Sequence, residues 1–190
     1  MNLLKPSDIP SILGLRRYDL HAVWERMTGR AVPREWTWAD RKRKAIRAAL
    51  VDQDSWVDEL SFTRGHLQSR MHIRHFFKDT VLLTRVAVGN GECVKWAARQ
   101  DGWDAWADGF YYEAQAAMYL TDLSTCTWLV DARGTFVEVN VPRDDDAVEL
   151  VVDAAAEFMP WVERNEVPPK ALGQIDINTL DDVASVLEYD

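Results

Sequence analysis

The sequence predicts an α/β (α+β) fold, with a central mixed sheet of two β-hairpins flanked by helices. Two observations lead to this fold class. Apolar residues recur at helical spacing over roughly the first fifty positions, and the pattern then changes to a β-rich run at residues 80–88. Turn residues separate strand-like segments at Gly89-Asn90-Gly91 and at Asp131–Gly134, as expected for hairpins.

The remaining elements follow from helical spacing and from turn residues. Residues 52–78 are polar and are predicted as helix and loop. Acidic residues beginning at Asp144 predict the start of a long helix, because a carboxylate is favourable at a helix N-terminus. The predicted elements in chain order are helices after Ser7 and over 19–27 and 34–50, strands 80–88 and 92–97, a helix over 111–120, strands 125–130 and 135–141, and a helix from 144 to about 165.

Length and composition predict one domain over residues 1–170, followed by an acidic tail over 171–190 with a short helix. No run approaches the roughly 18 apolar residues of a membrane span, and no secretory leader is visible at the start. Cys93 and Cys126 form no CxxC pair, which favours reduced thiols in a cytoplasmic protein. Trp103 and Trp106 are either core residues or part of an exposed loop that stacks bases.

Charge is divided unevenly along the chain, whose net charge is −9. Residues 1–100 contain 18 Lys and Arg against 11 Asp and Glu, whereas residues 101–190 contain 4 against 20. The basic half can contact phosphates. The acidic half either faces a basic protein or is a solvated surface.

Two segments carry motifs of a known kind. The first is Ser7–Leu15, followed by residues 23–30, Val-Trp-Glu-Arg-Met-Thr-Gly-Arg. The second is residues 111–121, in which Gln115 and Tyr119 form a Gln-x-x-x-Tyr pattern. Both resemble the YqaJ/lambda-exonuclease branch of the restriction-endonuclease-like, PD-(D/E)XK, phage recombination nucleases. The resemblance covers about half of the chain and implies a restriction-endonuclease-like core.

The resemblance also implies a catalytic Mg²⁺ held by carboxylates, because the metal activates a water and neutralises the phosphate. The family places a glutamate on the third helix, an aspartate on one strand of the first hairpin and Glu-x-Lys on the other. Here Arg43 occupies the helix position, with Asp40 nearly one turn away. Cys93 occupies the acidic position two residues before Lys95, and strand 82–88 has no carboxylate. The pattern therefore predicts a degenerate active site.

An alternative is that the metal ligands have migrated. In the predicted hairpin, however, Asp79 would lie about 25–30 Å from Glu92, too far to share one ion. His72, His75 and Asp79 have a spacing that suits a transition metal or a polar surface. If catalysis survives, the predicted catalytic residues are Glu92, Lys95, Asp79 and Gln115, and the metal ligands are Asp40, Asp79 and Glu92.

Positive charge at the start of the third helix predicts that it binds phosphate groups without catalysing a reaction, or else that it is a solvated helix face. The predicted nucleic-acid-binding residues are Arg41, Lys42, Arg43, Lys44, Arg47, Arg85 and Lys95.

Three functions are compatible with these observations. The first is a catalytically inactive, phage- or prophage-encoded nuclease-fold protein, acting in the bacterial cytoplasm without a cofactor. It would bind nucleic acid or a host protein of DNA metabolism or defence, as a possible inhibitor. The second is an active Mg²⁺-dependent DNA exonuclease. The third is a virion or scaffold protein that uses the fold for assembly, and homo-oligomers are compatible with each of the three.

Overall fold

The computed structural model describes residues 3–15, 20–33, 35–53, 56–75, 78–98 and 109–169. A short 3₁₀ turn, Pro6–Asp8, precedes the helices and strands of these ranges. The helices are α1 (Ile9–Ile12), α2 (Leu20–Met27), α3 (Trp38–Gln53), α4 (Asn90–Ala98), α5 (Gly109–Thr121) and α6 (Asp145–Glu163), and the strands are β1 (Val57–Arg64), β2 (Leu67–Arg74), β3 (Thr80–Val86), β4 (Thr125–Ala132) and β5 (Thr135–Pro142).

The strands form one mixed sheet in the order β1-β2-β3-β4-β5. β1 with β2 and β4 with β5 are antiparallel hairpins, while β3 runs antiparallel to β2 and parallel to β4. Parallel strands need a long crossover, and the chain between β3 and β4 supplies it with α4 and α5. The predicted fold class, a mixed sheet of two hairpins flanked by helices, is confirmed.

The sheet has one apolar and one polar face. Val81, Leu83 and Trp128 belong to the buried apolar cluster on the first face, where α5 packs and α1 and α6 complete the core. Side chains alternate along a strand, so the neighbouring positions face the other way and carry polar groups such as His72 and Thr84. α3 contacts β3 and β1.

An ion pair with a buried carboxylate attaches α3 to the end of β4. The Lys42 Nζ lies 2.5 Å from a carboxylate oxygen of Asp131, which is 2% exposed. The backbone N–H of Gly134 donates to the same carboxylate at 2.7 Å. Burial alone would raise the pKa of Asp131, but the bonds from Lys42 and Gly134 lower it below its ordinary value.

The predicted pairing of residues 80–88 with 92–97 is wrong. β3 forms as expected, but Gly89-Asn90 leads into α4 instead of a hairpin turn. Trp96 is fully buried, with its ring centroid 5.5 Å from that of Trp128, and Cys93, one helical turn earlier, packs against the same core. This tertiary packing overrides the local β propensity of the segment. The separation derived from that hairpin for Asp79 and Glu92 therefore does not apply.

The first hairpin instead occupies residues 57–74, which were predicted as helix and loop. Only Val57 is buried in β1, so this edge strand lacks the apolar alternation that marks most strands. Arg64 pairs with Leu67, which leaves Gly65 and His66 as a two-residue turn. Gly65 has φ +55°, a backbone conformation that favours glycine, and its Cα lies close to the Tyr119 hydroxyl, which a Cβ would meet at 2.8 Å.

A buried amide connects α5 to the start of α6. The Gln115 Nε2 donates to the Pro142 carbonyl at 2.9 Å, and its Oε1 accepts from the Asp144 N–H at 3.0 Å. The Asp144 carboxylate in turn accepts from the N–H groups of Asp146 and Ala147. The predicted acidic start of this helix is confirmed, with Asp144 as its N-cap.

Among the described residues, no helix is both long enough and apolar enough to cross a membrane. The predicted tail over 171–190, with its short helix, lies outside the described residues, as do Trp103 and Trp106. The boundary between domain and tail at residue 170 stays a prediction.

Replacing Lys42 with methionine should lower the free energy of unfolding by about 2 kcal/mol, because Asp131 loses its cation while still buried. Urea unfolding measures this loss. A carboxylate whose pKa is lowered in the folded state stabilises that state at pH values above its ordinary pKa. This stabilisation is lost as the pH falls through the lowered pKa. The gap between wild type and Lys42→Met should therefore shrink below about pH 4.

Lys44→Met is the matched control, since Lys44 is exposed on the same helix. It should change stability by less than about 1 kcal/mol. Equal losses in the two variants, or a gap that does not depend on pH, would contradict the anchoring role of Lys42.

Candidate nucleic-acid interface

A cleft lies between α3 and the polar face of the sheet. One cavity in it, of about 690 Å³, is lined by Trp36, by the α3 residues Asp40, Arg43, Lys44, Arg47, Ala48 and Val51, by Glu59 of β1 and by His72 of β2. A second cavity of about 990 Å³ shares four of these residues and extends past Glu113 to the N-terminal segment. The described elements α3, β2, β3 and α5 thus meet at one place.

Arg47 is the central cation of the cleft. Its Nε donates to the buried Thr84 hydroxyl at 2.7 Å, which fixes the guanidinium over β3. Among the described residues, no carboxylate forms an ion pair with it. Desolvation by the surrounding protein and the neighbouring Arg43 lower the pKa of Arg47, although it stays charged at neutral pH. The other guanidinium nitrogens can therefore bind an anion.

Arg43 and Asp40 neutralise each other at the start of α3. The Arg43 guanidinium lies 2.5 Å from a carboxylate oxygen of Asp40. Asp40 also accepts from the backbone N–H and hydroxyl of Thr37, while its own N–H donates to the Thr37 hydroxyl. This reciprocal pattern is a capping box, so Asp40, a predicted metal ligand, serves to start the helix.

His72 lies on the floor of the cleft, where it is buried. Its Nε2 is 4.0 Å from Glu59, which pairs with it across the hairpin. Burial is the main cause that lowers the pKa of His72, and the charge of Arg47 adds to it, while Glu59 acts in the opposite direction. His72 is therefore neutral at pH 7.

The predicted grouping of His72 with His75 and Asp79 assumed helical spacing, which β2 does not have. His75 instead forms a separate cluster, 3.0 Å from Asp79 and 3.3 Å from Asp58. Asp79, predicted as a catalytic and metal-binding residue, thus pairs with His75 at a position immediately before β3.

The seven predicted phosphate-binding cations separate into distinct environments. Arg43, Lys44 and Arg47 line the cleft, and Arg41 is exposed on the same helix. Lys42 is bound to Asp131. Arg85 alternates with Thr84 and lies on the other face of the sheet, 4.2 Å from the centre of the Phe110 ring. Lys95 is exposed on α4 rather than on a strand beside β3.

The residues predicted for a metal-dependent reaction are not brought together. Glu92 and Lys95 belong to α4, which contacts β5, rather than to a strand beside β3. Gln115 is fully buried in its bonds to Pro142 and Asp144. Over the described part of the chain, no group of three His, Cys, Asp or Glu side chains is arranged to hold a metal ion.

Sequence reasoning missed Trp36, Glu59, Glu113 and Thr84, and it did not place His72 in the cleft. The missed signal was the two-residue Gly65-His66 turn, which places the hairpin correctly. With β1 and β2 placed, the pairing of Glu59 with His72 and of His72 with Leu82 follows from the register.

The fold is shared with solved exonucleases. An alkaline exonuclease (LHK-Exo) from Laribacter hongkongensis, solved also in complex with dAMP, has 13% identity and a TM-score of 0.58, covering 97% of this chain and 94% of its own. A phage-related exonuclease from Haemophilus somnus 129PT has 12% identity and a TM-score of 0.50, covering 86% and 97%. No protein-family model and no curated protein matches the sequence. The likeness concerns the fold, in agreement with the predicted restriction-endonuclease-like core.

His72 and His75 should titrate on opposite sides of about pH 6.5. His72 should titrate below that value, owing to burial and Arg47. His75 should titrate above it, because its hydrogen bond to Asp79 favours the protonated ring. NMR titration, with assignment by His72→Gln and His75→Gln, measures both.

Arg47→Gln should raise the pKa of His72 and leave that of His75 unchanged, whereas Arg41→Gln should alter neither. A normal or raised pKa for His72 in the wild-type protein would contradict the described cleft.

Proposed function

We propose that this chain is a nuclease-fold protein that binds DNA through the cleft between α3 and the sheet, without metal-dependent cleavage. The observation that carries the proposal is the guanidinium of Arg47, which has no ion-pair partner among the described residues and lies where α3, β2 and β3 meet. Two of the solved fold neighbours are exonucleases, and one of these was also solved in complex with dAMP, which supports a nucleotide ligand.

Phosphate is the ligand that suits this cation. Guanidinium groups form strong, charge-assisted hydrogen bonds to phosphate oxygens, and phosphate contacts dominate the affinity of proteins for nucleic acids. Arg47 is held at its Nε by Thr84, so little side-chain freedom is lost when an anion binds. Lys44 adds a second cation to the same cavity.

The absence of cleavage is proposed from the residue types at the meeting point. β2 and β3 contain no Asp or Glu, and the α3 residues in the cleft include two arginines. Arg43 is paired with Asp40, but the guanidinium of Arg47 repels a divalent cation, and Mg²⁺ needs carboxylate or phosphate oxygens to compensate. Arg47 therefore takes the place of the metal charge rather than of its ligands.

An active exonuclease is the second candidate, favoured by two carboxylates in the larger cavity. Glu59 and Glu113 both line it, together with Arg47 and His72. Mg²⁺ is often held by one or two carboxylates and completed by substrate phosphates. This candidate predicts Mg²⁺-dependent digestion that is lost in Glu59→Gln or Glu113→Gln.

Linear duplex and single-stranded DNA should remain intact when incubated with the protein in Mg²⁺, in Mn²⁺ or in EDTA. Binding, measured by the anisotropy of a fluorescent DNA, should be similar with and without the metal. Arg47→Gln should weaken binding roughly tenfold, the loss expected for one hydrogen bond to a charged group. It should also reduce the salt dependence of log Kd by about one unit.

Arg41→Gln is the control, because Arg41 is exposed on the same helix but does not line the cleft. It should change the affinity by less than about threefold. Digestion that needs metal would establish the exonuclease. Intact DNA without binding would favour a protein partner, for which α6 exposes Glu149, Asp153 and Glu163.

A further inference from the structure

The smaller cavity places an aromatic ring close to the unpaired cation. Trp36 is 55% exposed, and the Lys44 Nζ lies 5.4 Å from the centre of its ring. Lys44 precedes Arg47 by three residues, about one helical turn or roughly 5 Å along the axis. The indole, Lys44 and Arg47 therefore line a cavity of about 690 Å³ together, a volume typical of small-ligand sites.

We propose that this cavity binds one unpaired nucleotide, with the base against the Trp36 ring and its phosphate on Arg47. The ligand class is single-stranded nucleic acid in preference to duplex. This inference rests on the proposed function, since it requires that the cleft bind nucleic acid.

The exposed ring decides between single strand and duplex. A base can stack on an indole only if its face is open, and the bases of a duplex cover one another. Phosphate contacts alone would not distinguish the two forms strongly. Trp38 is similarly exposed, at 59%, but it lies beside Lys42 and does not line the cavity.

Carboxylates in the cavity limit the site to about one phosphate. Asp40 is held by Arg43 and Thr37. Glu59 lies 3.9 Å from Arg70 and 4.0 Å from His72. These pairings leave Lys44 and Arg47 as the lining cations not paired with a described carboxylate. Further phosphates would meet only cations that are already paired with a carboxylate, whereas one nucleotide requires only one phosphate contact.

The test compares three fluorescent DNAs of equal length by anisotropy in EDTA. These are a single strand, the same strand with abasic sites in place of its bases, and a duplex. Wild-type protein should bind the single strand about tenfold more tightly than the abasic strand and the duplex, the effect of stacking one base. Trp36→Ala should weaken binding of the single strand about tenfold and change binding of the abasic strand less than twofold.

Trp38→Ala is the matched control and should bind all three DNAs as the wild type does. Trp36→Phe should keep most of the preference, because a phenyl ring also stacks. Equal losses in Trp36→Ala for the base-containing and abasic strands would overturn the inference, as would duplex binding as tight as that of the single strand.

Arg47→Gln separates this inference from the proposed function. If wild type binds all three DNAs equally and Arg47→Gln weakens each of them, the cleft binds nucleic acid but Trp36 does not select unpaired bases. If none of the DNAs binds, the proposed function fails first.

Discussion

The parallel pairing of β3 with β4 is the constraint on which the rest of the architecture depends. It joins two hairpins that would otherwise be separate, small sheets, and it places β3 in the middle with neighbours on both sides. A parallel pair needs a crossover, and here the crossover carries α5 over the apolar face. That face is then fully covered, and the polar face is left to α3. The cleft exists because these two roles fall to different helices.

On the polar face, charged side chains replace apolar packing, and each has a defined task. Lys42 binds the buried Asp131 and fixes the helix to β4. Arg43 is neutralised by Asp40, which at the same time caps the helix. Arg47 is held only by a hydroxyl group, Thr84, among the described residues. Among the described residues Arg47 is thus left without a carboxylate partner, a distinction that the sequence of the basic stretch 41–47 does not show.

The fold class and most of the helices could be predicted from the sequence, because helical spacing, the Asp131–Gly134 turn and the acidic start of α6 are local features. The first hairpin could not be placed correctly. β1 is an edge strand whose side chains are mostly exposed, and its turn depends on Gly65, which has φ +55° and lies against the Tyr119 hydroxyl, more than fifty residues away. The segment after Gly89 has strand-like composition but folds as α4, since burial of Trp96 against Trp128 decides its conformation.

For the candidate site, the basic helix was predicted, but the different roles of Lys42, Arg43 and Arg47 were not. These roles depend on their partners Asp131, Asp40 and Thr84, of which Asp131 and Thr84 lie on strands distant in the chain. Gln115 carries the opposite lesson. Its motif resembled that of a nuclease helix, yet in this chain its buried amide bonds to Pro142 and Asp144. A side chain retained at a motif position can therefore hold the fold together without facing the cleft.

The anchoring of α3 by Lys42 also sets the rotational phase of the helix. Each residue turns the chain by about 100°, so the angle between the anchor and Arg47 is fixed by the number of residues between them. Substitutions in that interval change the chemistry of the cleft but keep this angle. Insertion or deletion of one residue would turn the guanidinium away from Thr84 while the anchor stayed in place. Positions 43–46 thus act as a spacer whose length is constrained more strictly than its composition.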